Sequence, residues 1–124
     1  MRKNKTRFVC FRPLSTDTVQ WLDAPHVPHG WENGFLFEQT TRTLLCGDLF
    51  TQGGNEHKPL ADTIVDTSEQ MRAGMDYFAH GANTRSVLER LAALNRETLA
   101  CMHGSAYRGN GGARLRELAD RLGA

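Results

Sequence analysis

Three short stretches hold the residues whose types could bind a transition metal. They are Pro25-His26-Val27-Pro28-His29, Cys46-Gly47-Asp48 and Met102-His103-Gly104. Imidazole nitrogens and a carboxylate oxygen are the donors from which hydrolytic zinc and non-haem iron sites are built. A carboxylate can bridge two cations and hold them about 3.5–4 Å apart, while neutral imidazoles fix the coordination without adding charge. Cations so held lower the pKa of a shared water towards neutrality and deliver hydroxide to a carbonyl or a phosphorus.

Such groups need rigid elements behind them. The second and third stretches directly follow apolar, strand-like runs, and the first follows a weaker one. Thr18 to Leu22 has the β-branched and aromatic content of a short strand. Residues 24–32 carry two prolines and a glycine and form a loop. Gly34 to Glu38 and Thr43 to Cys46 are predicted to pair as a hairpin about the turn Thr40-Thr41-Arg42. The run Thr-Leu-Leu-Cys suggests burial on both faces. Thr6 to Phe11 is a further strand candidate that Pro13 ends.

The second half reads as helices with one late strand. Residues 51–59 form a polar loop, and Leu60 to Ile64 a helical turn. Ser68 is the expected N-cap of a helix over Glu69 to Ala79, with Met71, Met75 and Phe78 on one stripe. Asn83 or Thr84 caps the next helix, whose apolar face is Val87, Leu88, Leu91 and Leu94. Thr98 to Met102 is a buried strand, Tyr107 to Gly112 a glycine-rich loop, and Ala113 to Leu122 an amphipathic helix. Strands first, then helices, describe a layered sheet-and-helix domain.

Composition narrows the function classes. The 124 residues carry a net charge of +1 with both signs interspersed, which gives no electrostatic case for nucleic acid or an anionic membrane surface. No run has the length of a spanning helix and no signal-peptide core is present, so a cytoplasmic location is expected. The three cysteines, Cys10, Cys46 and Cys101, are far apart and sit among apolar neighbours. Buried free thiols are the favoured reading, and Cys46 as a metal contact ranks second to core packing.

Other polar residues have plain roles beside chemical ones. His26 is read as a loop histidine, or one that supports a ligand from behind, rather than a ligand itself. His57 and His80 are surface residues, His80 at a helix C-terminus. Tyr107 and Arg108 could contact an anionic substrate, but a polar loop before a helix is the commoner role. Gly109 to Gly112 could hold a phosphate through backbone amides at a helix start, although it lacks the Lys-Ser/Thr of a P-loop. Trp31 and Phe35 to Phe37 are expected in the core and pocket wall.

The stretch PHVPHGWENGFLFEQTTRTLLCGDLF at 25–50, followed by LACMHGSAYRG at 99–109, resembles the metallo-β-lactamase fold superfamily, and within it the flavodiiron branch. The resemblance covers most of residues 17–122. It implies that His29 is the third histidine of one metal site, Asp48 the carboxylate bridging two metals and His103 the final histidine of the other. The superfamily's first ligands come from a His-x-His-x-Asp-His run, which this sequence lacks. Residues 17–124 thus correspond to the C-terminal half of such a domain, with 1–16 an N-terminal segment of uncertain kinship. The implied architecture is α/β in the layered sense: a partial αββα fold, its mixed sheet covered by helices on one side.

The implied function is metal-dependent hydrolysis of a small-molecule substrate, with zinc or iron as cofactor, or no bound metal where the site is incomplete. The alternatives are a di-iron oxidoreductase relative and a non-catalytic remnant. A half sheet also exposes an edge through which copies could associate. No catalytic residue beyond the metal positions is assigned.

Overall fold

The computed structural model describes residues 7–9, 18–94 and 96–124. The strands among them are β1 (Arg7–Val9), β2 (Val19–Asp23), β3 (Gly34–Glu38), β4 (Thr43–Leu45), β5 (Thr98–Ala100) and β6 (Tyr107–Arg108). The helices are α1 (Val65–Gly74), α2 (Thr84–Ala92) and α3 (Gly111–Arg121). All six strands join one sheet in sequence order. Neighbours are antiparallel except β4 and β5, which run parallel with Leu45 opposite Ala100. The sheet is mixed, as expected, because the two helices α1 and α2 make the crossover that a parallel pair requires.

Alternation sets the inner face. In β3 Phe35 and Phe37 are buried while their neighbours are partly exposed, the period-two signature of a half-covered strand. With Leu22, Leu44 and Leu99 they meet Val87, Leu88 and Leu91 of α2 and Leu115 and Leu118 of α3. A buried side chain of this size contributes about 1.5–3 kcal/mol against entropy. Helices α2 and α3 pack on each other, and Arg116–Glu89 at 3.0 Å and Arg85–Asp120 at 2.8 Å tie their outer faces. Within β4 Leu44 is fully buried but Leu45 is 44% exposed. Burial on both faces is therefore not what β4 has: helices cover one side of the sheet there.

The hairpin turn is pinned by Glu38, which accepts from the Thr40 and Thr41 amides at 2.7 and 2.8 Å and from the Thr41 hydroxyl. The hydroxyl bond, then the amides, bring its carboxyl down to about 2. At Gly34, where β3 begins, any Cβ would stand 2.2 Å from the Trp21 ring, so only glycine lets the indole cross the strand.

Helix bounds depart from the periodic reading. Helix α1 starts at Val65, four residues before Glu69, and ends at Gly74. Ser68 is no cap: it lies inside the helix, buried, with its hydroxyl on the Val65 carbonyl at 3.0 Å. The stripe breaks because Met75 leaves the helix and is 59% exposed, while Asp76 caps the following turn through the Phe78 amide. His80 consequently lies beyond the helix end, on Asp76 at 2.6 Å rather than on a helix dipole. Leu60 is not in a helical turn but bridges Ala106. Tyr107–Arg108, read as loop, is strand β6. The strand candidate at Thr6 to Phe11 is β1 over its middle; Thr6, Cys10 and Phe11 lie outside the described residues.

Helix α3 begins two residues early because Asn110 caps it, its side-chain oxygen accepting from the Ala113 amide at 3.0 Å. Asn110→Ala is expected to lower stability by about 1 kcal/mol, read as a shift in the urea midpoint at constant slope. An unchanged midpoint would mean that the cap contributes nothing.

Candidate metal centre

His29 is delivered by the loop between β2 and β3, and that loop is fastened from several sides. Its neck is closed by Ala24 N to Asn33 O at 2.8 Å and its tip by His26 N to Trp31 O at 2.9 Å. The Asn33 side chain donates to the Val27 carbonyl, and Asn83 donates to the Pro25 carbonyl at 2.8 Å. The Ala79 amide donates to the Pro28 carbonyl at 2.7 Å. Ala24, Val27 and Pro28 are buried beneath, and the Val27–Pro28 peptide is cis. His26 sits at the exposed tip in a left-handed conformation, φ 63°. It closes the loop through its backbone.

Asp48 and His103 follow the ends of the two parallel strands. The pairing continues past them: Cys46 N donates to Ala100 O at 2.9 Å and Met102 N to Gly47 O at 3.3 Å. The Thr51 hydroxyl donates to the Asp48 carbonyl at 2.6 Å and the Thr51 amide to the Tyr77 hydroxyl at 3.2 Å. Gln52, 4% exposed, joins the two loops. Its amide donates to the His103 carbonyl at 2.9 Å, its side chain donates to the Ser105 carbonyl at 3.0 Å, and its side-chain oxygen accepts from the Ser105 amide at 3.1 Å. Sequence reasoning missed Thr51, Gln52 and Tyr77. Nothing in a polar stretch after Gly-Asp marks one glutamine as buried.

The three candidate residues converge on Asp48. His29 Nε2 lies 2.6 Å from Oδ2, and His103 Nε2 lies 3.1 Å from Oδ1. Each carboxylate oxygen therefore faces a different imidazole. Side-chain exposure rises from 18% for His29 through 31% for Asp48 to 53% for His103, so the cluster opens to solvent on the His103 side. Trp31 stacks on the His29 ring at 4.1 Å and 14°. The indole is 59% exposed, not a core residue, and serves as an outer wall for the imidazole. Tyr77 lies 5.9 Å from His29, ring to ring. Burial pushes its phenol up, against the opposing hydrogen bond from Thr51, so it stays protonated at neutral pH.

Cys46 does not join the cluster. Its side chain is in the core, its thiol directed to the Leu44 carbonyl at 3.6 Å, and burial pushes its pKa up, with Cys101 as the lesser cause. A thiol held protonated is a packing group rather than a ligand. Tyr107 and Arg108 pair with Leu99 and Thr98, at the start of β5, whereas His103 follows its end. The Tyr107 ring instead carries the Arg114 guanidinium at 5.8 Å.

Do the donors suit a cation? Bonds from such nitrogens and oxygens to zinc or iron are about 2.0–2.2 Å, which sets two donors on one cation roughly 3 Å apart. The His103–Asp48 contact has that spacing. The His29–Asp48 contact is a direct hydrogen bond, and a cation between them would widen it. Among the described residues no group of three or more His, Cys, Asp or Glu side chains is arranged to hold a metal ion as it stands. The donor chemistry fits, and the donor number is short of what two cations need.

No family model matches the chain, and no curated protein matches it. Solved structures do. The apo chemotaxis sensor ODP from T. denticola superposes with a TM-score of 0.73 at 18% identity, over 94% of this chain and 48% of that one. A structure of the same sensor described as a peroxy diiron species gives 0.65 at 16%, over 96% and 49%. The flavodiiron protein from Giardia intestinalis gives 0.72 at 16%, over 94% of this chain and 29% of that one. The chain thus spans about half the length of the sensor and less of the flavodiiron protein. No helix among the described residues is long and apolar enough to cross a membrane. At identities this low the likeness speaks of architecture, and the architecture is the metallo-β-lactamase-type fold of these diiron and flavodiiron proteins.

Proposed function

We propose that His29, Asp48 and His103 are metal ligands and that the chain takes part in metal-dependent chemistry, with iron favoured over zinc. The observation that carries this is the carboxylate with one imidazole on each oxygen. A turn aspartate needs no such partners, whereas a bridging carboxylate places one neighbour on each side. Iron is favoured because the neighbours are described as diiron and flavodiiron proteins. In this reading residues 17–124 are the C-terminal half of the domain, and the missing donors come from outside the three named residues.

A bound cation would supply Lewis acidity and an acidified water for hydrolysis of a small-molecule substrate; a redox-active iron pair would supply electron transfer instead. The chain's own groups do the rest. Asp48 holds both imidazoles in register, Trp31 shields one face of His29, and the Thr51 bonds keep the Asp48 backbone still. Association would run through the sheet edge and through exposed apolar side chains such as Trp31, Met102 and Leu45. The buried thiol of Cys46 suits the reducing cytoplasm. A remnant without chemistry is the competing reading.

The test is metal loading of the full chain. Equilibrium dialysis against Fe(II) under reducing conditions, in parallel with Zn(II), should leave about one cation or more per chain after desalting, with Fe(II) retained at least as well. A folded chain that retains neither cation above buffer would establish the remnant reading.

A further inference from the structure

Where the chain enters β5, away from the His29–Asp48–His103 cluster, it buries a positive charge that has no ion-pair partner among the described residues. Arg96 is 6% exposed, and its Nε and Nη1 have no hydrogen-bond partner. Burial, with Arg116 as the second cause, brings its pKa down to about 10, so it stays cationic at neutral pH. Leaving a buried cation unpaired costs several kcal/mol, and proteins normally avoid it. Among the described residues Glu97, next in the chain, pairs with Arg42 at 3.1 Å, and Glu89 pairs with Arg116 at 3.0 Å.

The guanidinium lies against the first turn of α3. A Cβ on Gly111 would stand 2.8 Å from Arg96 Cγ, and one on Gly112 would stand 3.6 Å from both Arg96 Nη2 and Arg116 Nη1. Those two arginines therefore flank one glycine at the helix start. The Ala92 carbonyl is also near Gly112, 2.9 Å from such a Cβ, yet Arg96 Nε and Nη1 do not bond to it. In that first turn the Gly111 amide is used by the Gly109 carbonyl at 2.9 Å and the Ala113 amide by the Asn110 side chain. The Gly112 amide, between them, belongs to the positive end of an eleven-residue helix. Glycine at 111 and 112 lets the backbone of this turn lie directly against Arg96, Leu99 and the Ala92 carbonyl.

We infer that the start of α3, with Arg96 and Arg116, binds a small phosphate-type oxyanion, either free or carried by a small ester. The unpartnered guanidinium supplies the fixed charge, Arg116 supplies a second, shared with Glu89, and the Gly112 amide supplies a neutral donor. This site is independent of the metal reading.

Thermal unfolding of the full chain tests it, in phosphate-free buffer at constant ionic strength. Inorganic phosphate or phenyl phosphate should raise Tm by several degrees and saturate, while chloride at equal ionic strength should not. A response to inorganic phosphate alone assigns a free ion, and an equal response to phenyl phosphate an ester. Arg96→Met should abolish the response. Arg116→Gln, at an exposed position, should fold normally and weaken apparent affinity at least tenfold, which keeps the test decisive if the Arg96 variant fails to fold. Equal shifts with phosphate and chloride, or an undiminished phosphate response in Arg116→Gln, would overturn the proposal.

Discussion

Gly104→Ala is expected to destabilise the chain by about 3 kcal/mol, a fall in Tm on the order of 10 °C. Two penalties act together. Gly104 has φ +120°, a backbone conformation closed to residues with a Cβ. An added Cβ would also stand 2.5–2.6 Å from Gln52 Cδ, Cβ and Oε1. Gln52 has no room to step aside, because it is buried and its side chain both donates to and accepts from Ser105. Displacing it leaves buried polar groups unpaired, each costing about 1–3 kcal/mol. Gln52 also holds the His103 carbonyl, so the same change loosens one imidazole of the cluster. A midpoint shift below about 1 kcal/mol in urea would mean that Gln52 is not the clamp described above.

Asp48→Ala should separate chemistry from stability. Metal retention in the dialysis experiment is expected to fall on the order of 100-fold or more, because both imidazoles lose their common partner. The fold should lose only about 0–1 kcal/mol, since the side chains involved are partly solvated and such pairs contribute little. Asp48→Asn keeps the shape while removing the charge and should bind metal almost as poorly. A large loss of folding with metal retention unchanged would make Asp48 a structural residue and end the metal reading.

The elements that position this cluster were readable because their signals are local. Alternation marked Gly34 to Glu38 to the residue, and the leucine spacing of α2 and α3 placed both helices. Helix α1 was misplaced because Ser68 looks like a cap but spends its hydroxyl inside the helix, a distinction that only the preceding Ile64–Val65 burial reveals. Strand β6 has two residues and too little pattern to see. The polar triad could be named from residue type and position. The Gln52 clamp, the indole on His29 and the buried charge of Arg96 could not, because each depends on contacts between segments far apart in the chain.

The carboxylate at 48 is reached by one imidazole 19 residues back and by the other 55 residues on (103 − 48). Loop-closure entropy grows only with the logarithm of length, so the longer arc costs roughly 0.9 kcal/mol more than the shorter one. A cation gripped by both arms would act as a cross-link over residues 29–103, closing both arcs at once. Its occupancy would then be inseparable from folding, and chelation would register as loss of cooperativity in the entire sheet rather than as a local change at the donors.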